Sequence, residues 1–434
     1  MVRDIARWSG VTGFALLALG ASCLAQEQAP VPSVDATDRE QVASLYRQYY
    51  LPGNDVAPGW TGSLDSGDPG ALSEAYRTAT LQRINYYRSM CGLTSNLAFG
   101  AAEDGECQQA ALMMAAQGDI SHAPPSSWKF YTADAAQACA NSNIRLDSVG
   151  DEGPGAVDRF MADDEANNAD VGHRRWFMYP DEGEMGSGAI PPSDAYAGTA
   201  AIWIMNFVPR PAGTPAFCSW PNAGYVPANL VYRRWSFSYL NADFSQATVS
   251  VAKNGSPIAV SVETPQYQSS SGSDIIVGDN TLVWELPGNT VSASQDETYS
   301  VHVSQVLING APQDFDYTVT TIDAEPVQIG LSVPAPLAHR TGPVRGRILL
   351  SRTGDLSAPL TLAYSVGGTA APGVRYAGLS GSVTFQPGSA NARIKVLPLT
   401  GAGLGGKRTV VITLLPGADY SLGAVTSGTI SIVK

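Results

Sequence analysis

Two patterns of apolar and polar residues divide the 434-residue chain near its middle. In the first half, apolar positions recur at the three-to-four spacing of helices that bury one face. Leu72, Tyr76, Ile84, Tyr87 and Cys91 share one stripe, which predicts a helix from near Ala71 to a stop at Gly92. A second helix is predicted from about Cys107 to Gln117, with Ala111, Met114 and Ala115 inward and Gly118 at its end. A third covers Ala156 to Asp164, and a short one covers Asp38 to Tyr50, ended by Leu51-Pro52-Gly53. The run Ala200 to Phe207 is too short and bulky for a surface helix and fits a buried strand.

From Tyr232 onward the helical period fades and strict alternation takes over. Val249 and Val251, Leu282, Trp284 and Leu286, then Phe315, Tyr317 and Val319 read as half-buried strands. Asn254-Gly255 and Asn309-Gly310 read as hairpin turns between them. After Glu325-Pro326 the alternation restarts with Leu360, Leu362 and Tyr364, and continues through Val383, Phe385, Ile394, Val396, Ile430 and Ile432. Many short strands with one apolar face close most simply as β-sandwiches. The predicted class is α+β: a helical and stranded unit at 70–221, then β-sandwiches at 222–325 and 326–434. Residues 26–69 are expected to be a flexible extension with one short helix.

Composition narrows the setting. Charged residues make up 15% of the chain and the formal net charge is −13, with no basic run. That balance argues against nucleic acid or an anionic bilayer as partner, since both need concentrated positive charge. Arg3 and Arg7 beside the apolar run Val11–Leu19 read as an export signal, too short to span a membrane. Cleavage after Ala25 is expected to release a secreted, periplasmic or extracellular protein. A lipid anchor on Cys23 is the alternative. Four cysteines remain after that cleavage, Cys91, Cys107, Cys139 and Cys218, an even number in an exported chain. The expected pairing is Cys91–Cys107 with Cys139–Cys218, because the first two bracket one short segment.

The chain has four histidines. His122 follows Gly118-Asp119-Ile120-Ser121, and His173 lies in Gly172-His173-Arg174-Arg175. His302 alternates with Val301 and Val303 and is expected in solvent, and His339 lies in a turn-like stretch. Trp176, Phe177 and Tyr179 are expected to be core anchors rather than a groove. Arg174 and Arg175 are expected to pair with acids such as Asp170, Asp181, Glu182 and Glu184.

Four segments in order resemble the CAP superfamily of cysteine-rich secretory, antigen 5 and pathogenesis-related class 1 proteins. They are Leu81 to Arg88 with Asn85 three residues before Arg88, Gln109 to His122, Gly172 to Arg175, and Ala201 to Phe207. The resemblance implies a three-layer α-β-α sandwich with two histidines and two acids lining a cleft. His122 and His173 match the histidines, whereas Ser142 in Ser142-Asn143-Ile144 stands where the first acid is usual. Asp163, Asp164 or Glu165 matches the second. Gly172-His173-Arg174 is similar to the turn of bacterial members of that superfamily, and Ser351 to Asp355, Gly368-Thr369-Ala370, Tyr376 and Ser380-Gly381 resemble a Calx-β domain. Arg375, Lys407 and Arg408 stand near the place where that family gathers carboxylates, so calcium is not expected there.

Two imidazoles short of a third ligand imply at most weak binding of a divalent metal such as zinc. The function expected is therefore binding or adhesion at an extracellular or cell-surface ligand. A metal-assisted or serine-type hydrolase using His122 and His173 is the alternative, with Ser142 as its nucleophile, and capture of a lipid is a third.

Overall fold

The computed structural model describes residues 30–147, 150–263, 278–292, 296–342, 344–400, 406–417 and 419–434. The expected export signal and Cys23 lie outside these residues. Helix α1 (Arg39–Leu45) starts at Asp38, whose carboxylate accepts the Glu40 and Gln41 N–H groups. Helix α2 (Glu74–Met90) starts at Ser73 in the same manner, and α3 (Ala101–Gln117) ends at Gly118 with φ of 71°. There follow α4 (Ala133–Ala140), β1 (Ser142–Asp147), α5 (Pro154–Ala162), α6 (Gly172–Phe177), β2 (Gly186–Ile190) and β3 (Gly198–Trp203). The strands form one antiparallel sheet in the order β1-β3-β2.

Successive side chains of a strand face opposite ways, and on β3 both faces are covered. Ala201 and Trp203 join Cys107, Met113 and Met114 of α3 and Ala135, Ala138 and Cys139 of α4 in one core. Ala200 and Ile202 join Ile84, Tyr86 and Tyr87 of α2 and Phe160 of α5 in another. The result is the α-β-α sandwich, and it explains why Ala200–Ile204 reads as an unbroken apolar run. Glycine sets the closeness of one layer: a Cβ on Gly188 would lie 2.2 Å from the Cys107 carbonyl carbon. Helix α3 thus rests directly on β2. It also begins earlier than expected, because Glu103, Asp104 and Glu106 suit its first turns.

The N-terminal extension is packed rather than flexible. Val31, Val42, Ala43, Leu45, Tyr46 and Tyr50 are buried. Tyr46 stacks on Tyr50 at 4.9 Å between centroids, and Tyr50 meets the Tyr86 edge at 5.2 Å. Aromatic surface of this size outweighs the loop-like composition around it.

The first sandwich comprises β4 (Phe217–Trp220), β5 (Gly224–Pro227), β6 (Arg234–Tyr239), β7 (Thr248–Lys253), β8 (Ser256–Ile258), β9 (Ser261–Val262), β10 (Asn280–Glu285), β11 (Glu297–Ile308) and β12 (Ala311–Ile322). Its sheets run β4-β6-β10-β9 and β5-β12-β11-β7-β8. The two expected turns close its hairpins, with φ of 50° and 80° at Asn254 and Gly255 and 52° and 78° at Asn309 and Gly310. Trp220, Trp235, Trp284 and Tyr299 fill its core. That core is continuous with the core beneath α2, where Tyr87 meets Trp220 at 4.9 Å. Packing therefore runs unbroken past residue 221, and loosening the first unit would expose apolar surface of the first sandwich too.

The second sandwich has its own core, from Val327 to Ile432. One sheet orders β18 (Asn391–Val396), β15 (Gly346–Arg352), β13 (Gln328–Ala335) and β20 (Ser421–Leu422). The other orders β14 (Leu337–His339), β21 (Ser427–Val433), β19 (Arg408–Leu414), β16 (Leu360–Gly367) and β17 (Ser382–Phe385). His339 thus ends a strand instead of lying in a turn. His302 is as expected, half in solvent and 2.8 Å from Asp316. Asp355 holds Arg39 at 3.0 Å, and Asp296 of the first sandwich holds the same guanidinium at 3.0 Å. A cation supplied by the chain already neutralises Asp355. The whole chain, in which Arg39 occupies Asp355, is accordingly expected to melt at the same temperature in calcium and in chelator. A rise in calcium would reveal a completed oxygen cage.

Candidate functional site

The two flagged histidines line one cavity of about 340 Å³, together with Ile144, Arg145, Leu146, Phe160, Asp163, Glu165 and Asn168. His122 arrives on the turn after α3, and its Nδ1 lies 2.7 Å from the Cys139 carbonyl oxygen. A carbonyl only accepts, so Nδ1 carries the proton. His173 sits in the first turn of α6, with Nδ1 2.8 Å from Asp163 Oδ1. A carboxylate likewise fixes the proton on Nδ1. Both rings are oriented by a neighbour, as in histidines that hold a ligand through Nε2. Neither Nε2 has a hydrogen-bond partner among the described residues.

Asp163 does double duty, because its Oδ2 also accepts the His173 backbone N–H at 3.0 Å. It closes α5 in the left-handed region with φ of 49°, and Val171 enters α6 with φ of 49° as well. For a branched residue such as Val171 that conformation is costly, and the surroundings must hold it. Phe160 lies tilted against the His173 ring at 4.9 Å between centroids, and Asn143 Nδ2 donates to the His173 carbonyl at 3.1 Å.

The loop that carries Asp163 is held from outside the α-β-α unit. Arg234, on β6 of the first sandwich, donates to the Asp163 carbonyl, to the Glu165 carbonyl at 2.9 Å and to the Asn168 carbonyl at 3.2 Å. In return Arg174, next to His173, donates to Met161 O at 2.6 Å, Ala162 O at 3.0 Å and Arg234 O at 2.9 Å. The carbonyls at the end of α5 have no helical partners, and Arg174 supplies them. The acids expected to pair with Arg174 are therefore not its partners, whereas Arg175 does meet Asp170 at 3.7 Å.

Three other expectations need correction. Ser142 is not in the cleft: it is 2% exposed, with Oγ 3.6 Å from Cys107 Sγ on the α3 side of the sheet. Asp164 is exposed and outside the cavity lining, while Glu165 is on it and meets Arg145 at 3.3 Å. The pairings Cys91–Cys107 and Cys139–Cys218 are not made, and all four cysteines are thiols in this structure. Each expected bond would join the two cores on opposite sides of the sheet, Cys91 and Cys218 in one and Cys107 and Cys139 in the other.

The Asn-x-x-Arg pattern in α2 proves structural. Asn85 exchanges two hydrogen bonds with Leu97, and Arg88 ties Thr94 O at 2.7 Å to Phe177 O and Tyr179 O at 2.8 Å. Trp176 and Phe177 are buried, as anchors should be. Arg145 and Arg234 carry no sequence signal that marks them as site residues. Arg145 lies on a strand where alternation puts it beside the cleft, but the six residues Ser142–Asp147 carry too little apolar pattern to announce a strand.

As a metal centre the donor set falls short. No three histidine, cysteine, aspartate or glutamate residues among the described ones come close enough to hold an ion. Asp163 is spent on orienting His173, and Glu165 faces Arg145. A zinc site with three protein ligands does not fit these residues.

The α-β-α layers form a CAP-type sandwich, followed by two β-sandwiches. Residues 81–207 match the model of the cysteine-rich secretory protein family. No curated protein matches the chain. Among solved structures, the apo form of the Calx CBD1 domain is 20% identical over 25% of this chain and 97% of its own, with a TM-score of 0.23. CBD12 from CALX1.2 is 13% identical over 50% of this chain and 98% of its own, at 0.20. A glycosyl hydrolase family 2 member from Bacteroides cellulosilyticus DSM 14838 is 15% identical over 46% of this chain and 24% of its own, at 0.18. The sandwich architecture itself rests on the strand pairing described above.

Ser142→Glu tests the geometry. Burial pushes the neighbouring Cys107 thiol up to about 12, so this side of the sheet disfavours charge. The variant is expected to lose roughly 3 kcal/mol of stability or more in denaturant unfolding, with no gain in zinc affinity. Unchanged stability with tighter zinc binding would return position 142 to the cleft.

Proposed function

We propose that this chain is an exported binding module that admits a small polar ligand to the cleft between His122 and His173. The observation that carries the reading is the pair of oriented rings, each with Nδ1–H tied back and Nε2 left over. Two such acceptors on one cavity of about 340 Å³ suit a ligand with two donors, or one that brings its own metal ion and completes the coordination. Ile144, Leu146 and Phe160 supply apolar wall, and Arg145, Glu165 and Asn168 make the remainder too polar for a lipid chain. The two sandwiches fit as spacers or adhesive modules, and the Val11–Leu19 run supports export.

The competing reading is a hydrolase. Its serine form needs a hydroxyl held by an oriented base. Ser142 lies away from both histidines, and Ser121, which does line the cavity, accepts the Ala123 N–H at 3.0 Å. Its metal-assisted form needs a third ligand that the described residues do not offer.

Zinc serves as the probe of the pair. Calorimetry on the metal-free protein is expected to show weak binding, with Kd above about 10 μM, abolished in an H122A/H173A protein that circular dichroism shows to be folded. Tight, stoichiometric binding would mean a third ligand exists and would favour the metal-assisted enzyme. Weak binding identical in both proteins would remove the histidine pair from the account.

A further inference from the structure

Cys91 and Cys218 come from distant parts of the chain and from different layers. Cys91 caps the C-terminal end of α2, and Cys218 lies on β4, the strand that opens the first sandwich. Both belong to the core shared by these units, with Cys218 7% exposed and Cys91 packed against the same cluster. The Cys91 Sγ reaches the carbonyl of Ser219, the residue after Cys218, at 3.2 Å. The neighbouring thiol is close enough to affect it: burial first, then a hydrogen bond to Cys218, push the Cys91 thiol well above its usual value. Cys107 and Cys139 share the other core, where Cys107 faces Ser142 instead.

We propose that Cys91 and Cys218 form a disulfide that staples the CAP-type unit to the first β-sandwich. Formation needs an oxidant, and a small-molecule or enzyme disulfide serves. The Cys91 thiolate attacks one sulfur of that disulfide, forming a mixed disulfide and releasing one oxidant thiolate. The Cys218 thiolate then attacks the Cys91 sulfur, forming the Cys91–Cys218 bond and expelling the second thiolate. The two protons of the protein thiols pass to the two released thiolates, and the oxidant is reduced by two electrons. Access exists from one side, because Cys91 lines a cavity of about 280 Å³ with Met90, Pro215, Phe217 and Ala223. A protonated, buried thiol reacts slowly, so the bond forms most readily during folding, before the shared core closes. The loop it closes, from 91 to 218, holds the cleft loop, the whole of α3 before His122, and α6 with His173.

The test uses the full chain refolded in a buffer of oxidised and reduced glutathione, followed by alkylation of remaining thiols in denaturant and peptide mapping. The expected map contains a peptide pair joined through Cys91 and Cys218, two hydrogens lighter than the separate thiols, with Cys107 and Cys139 alkylated. Alkylated Cys91 and Cys218, or either one joined to a different cysteine, would overturn the proposal. Reductant should lower the melting temperature of the oxidised wild type by on the order of 5–10 °C and leave C91S/C218S where it was. An equal drop in both proteins would assign the effect elsewhere. The map on the wild type decides the matter even if the double variant fails to fold.

Discussion

Two buried arginines, each satisfying carbonyls on the other's side of a boundary, hold this molecule's functional region together. Arg174 fills the unpaired end of α5 and reaches the backbone of β6, and Arg234 on β6 reaches back to the loop leaving α5. Both are nearly inaccessible, at 1% and 4% exposure. A guanidinium presents five donors in a fixed fork, which lets it answer several carbonyls at once. Burying such a charge costs much, and donation to carbonyl dipoles together with the nearby Asp163 and Glu285 carboxylates offsets it. Removing either partner would leave several buried carbonyls without donors.

The consequence is that the cleft is not the property of the CAP-type unit alone. Asp163 orients His173, and the backbone of Asp163 is positioned by a strand of the first sandwich. The shared core beneath α2 and the Tyr87–Trp220 contact act in the same sense. The sandwich therefore serves the site as scaffold, while the second sandwich, with a separate core, touches the remainder through links such as Arg39–Asp355.

Much of this fold was legible because burial on one face leaves a period in the sequence. The stripe on α2, the inward Ala111, Met114 and Ala115, and both Asn-Gly hairpins all appear where the pattern placed them. What stayed hidden has physical reasons. Helix α4 is eight residues long and built mostly of alanine, too short to show a period, α6 is six residues long, and β2 carries two glycines that admit α3. In the site, His122 and His173 are marked by family motifs and turn residues, whereas Asp163 was one of three neighbouring acids that the sequence left open. Ser142 was misplaced, since sequence alone does not show which face of β1 meets α3. Arg234 was invisible as a site residue, because its role depends on a contact spanning 66 to 71 residues of sequence.

The dependence of the cleft on the sandwich is tested most directly by hydrogen exchange in Arg234→Met, which keeps the aliphatic stem and removes the donors. Amides of residues 163–173 are expected to exchange at least about tenfold faster than in the wild type, a local loss of roughly 1.4 kcal/mol or more, while α3 and the second sandwich keep their protection. Wild-type protection across 163–173 in a folded Arg234→Met protein would contradict the account and return the cleft to the CAP-type unit alone.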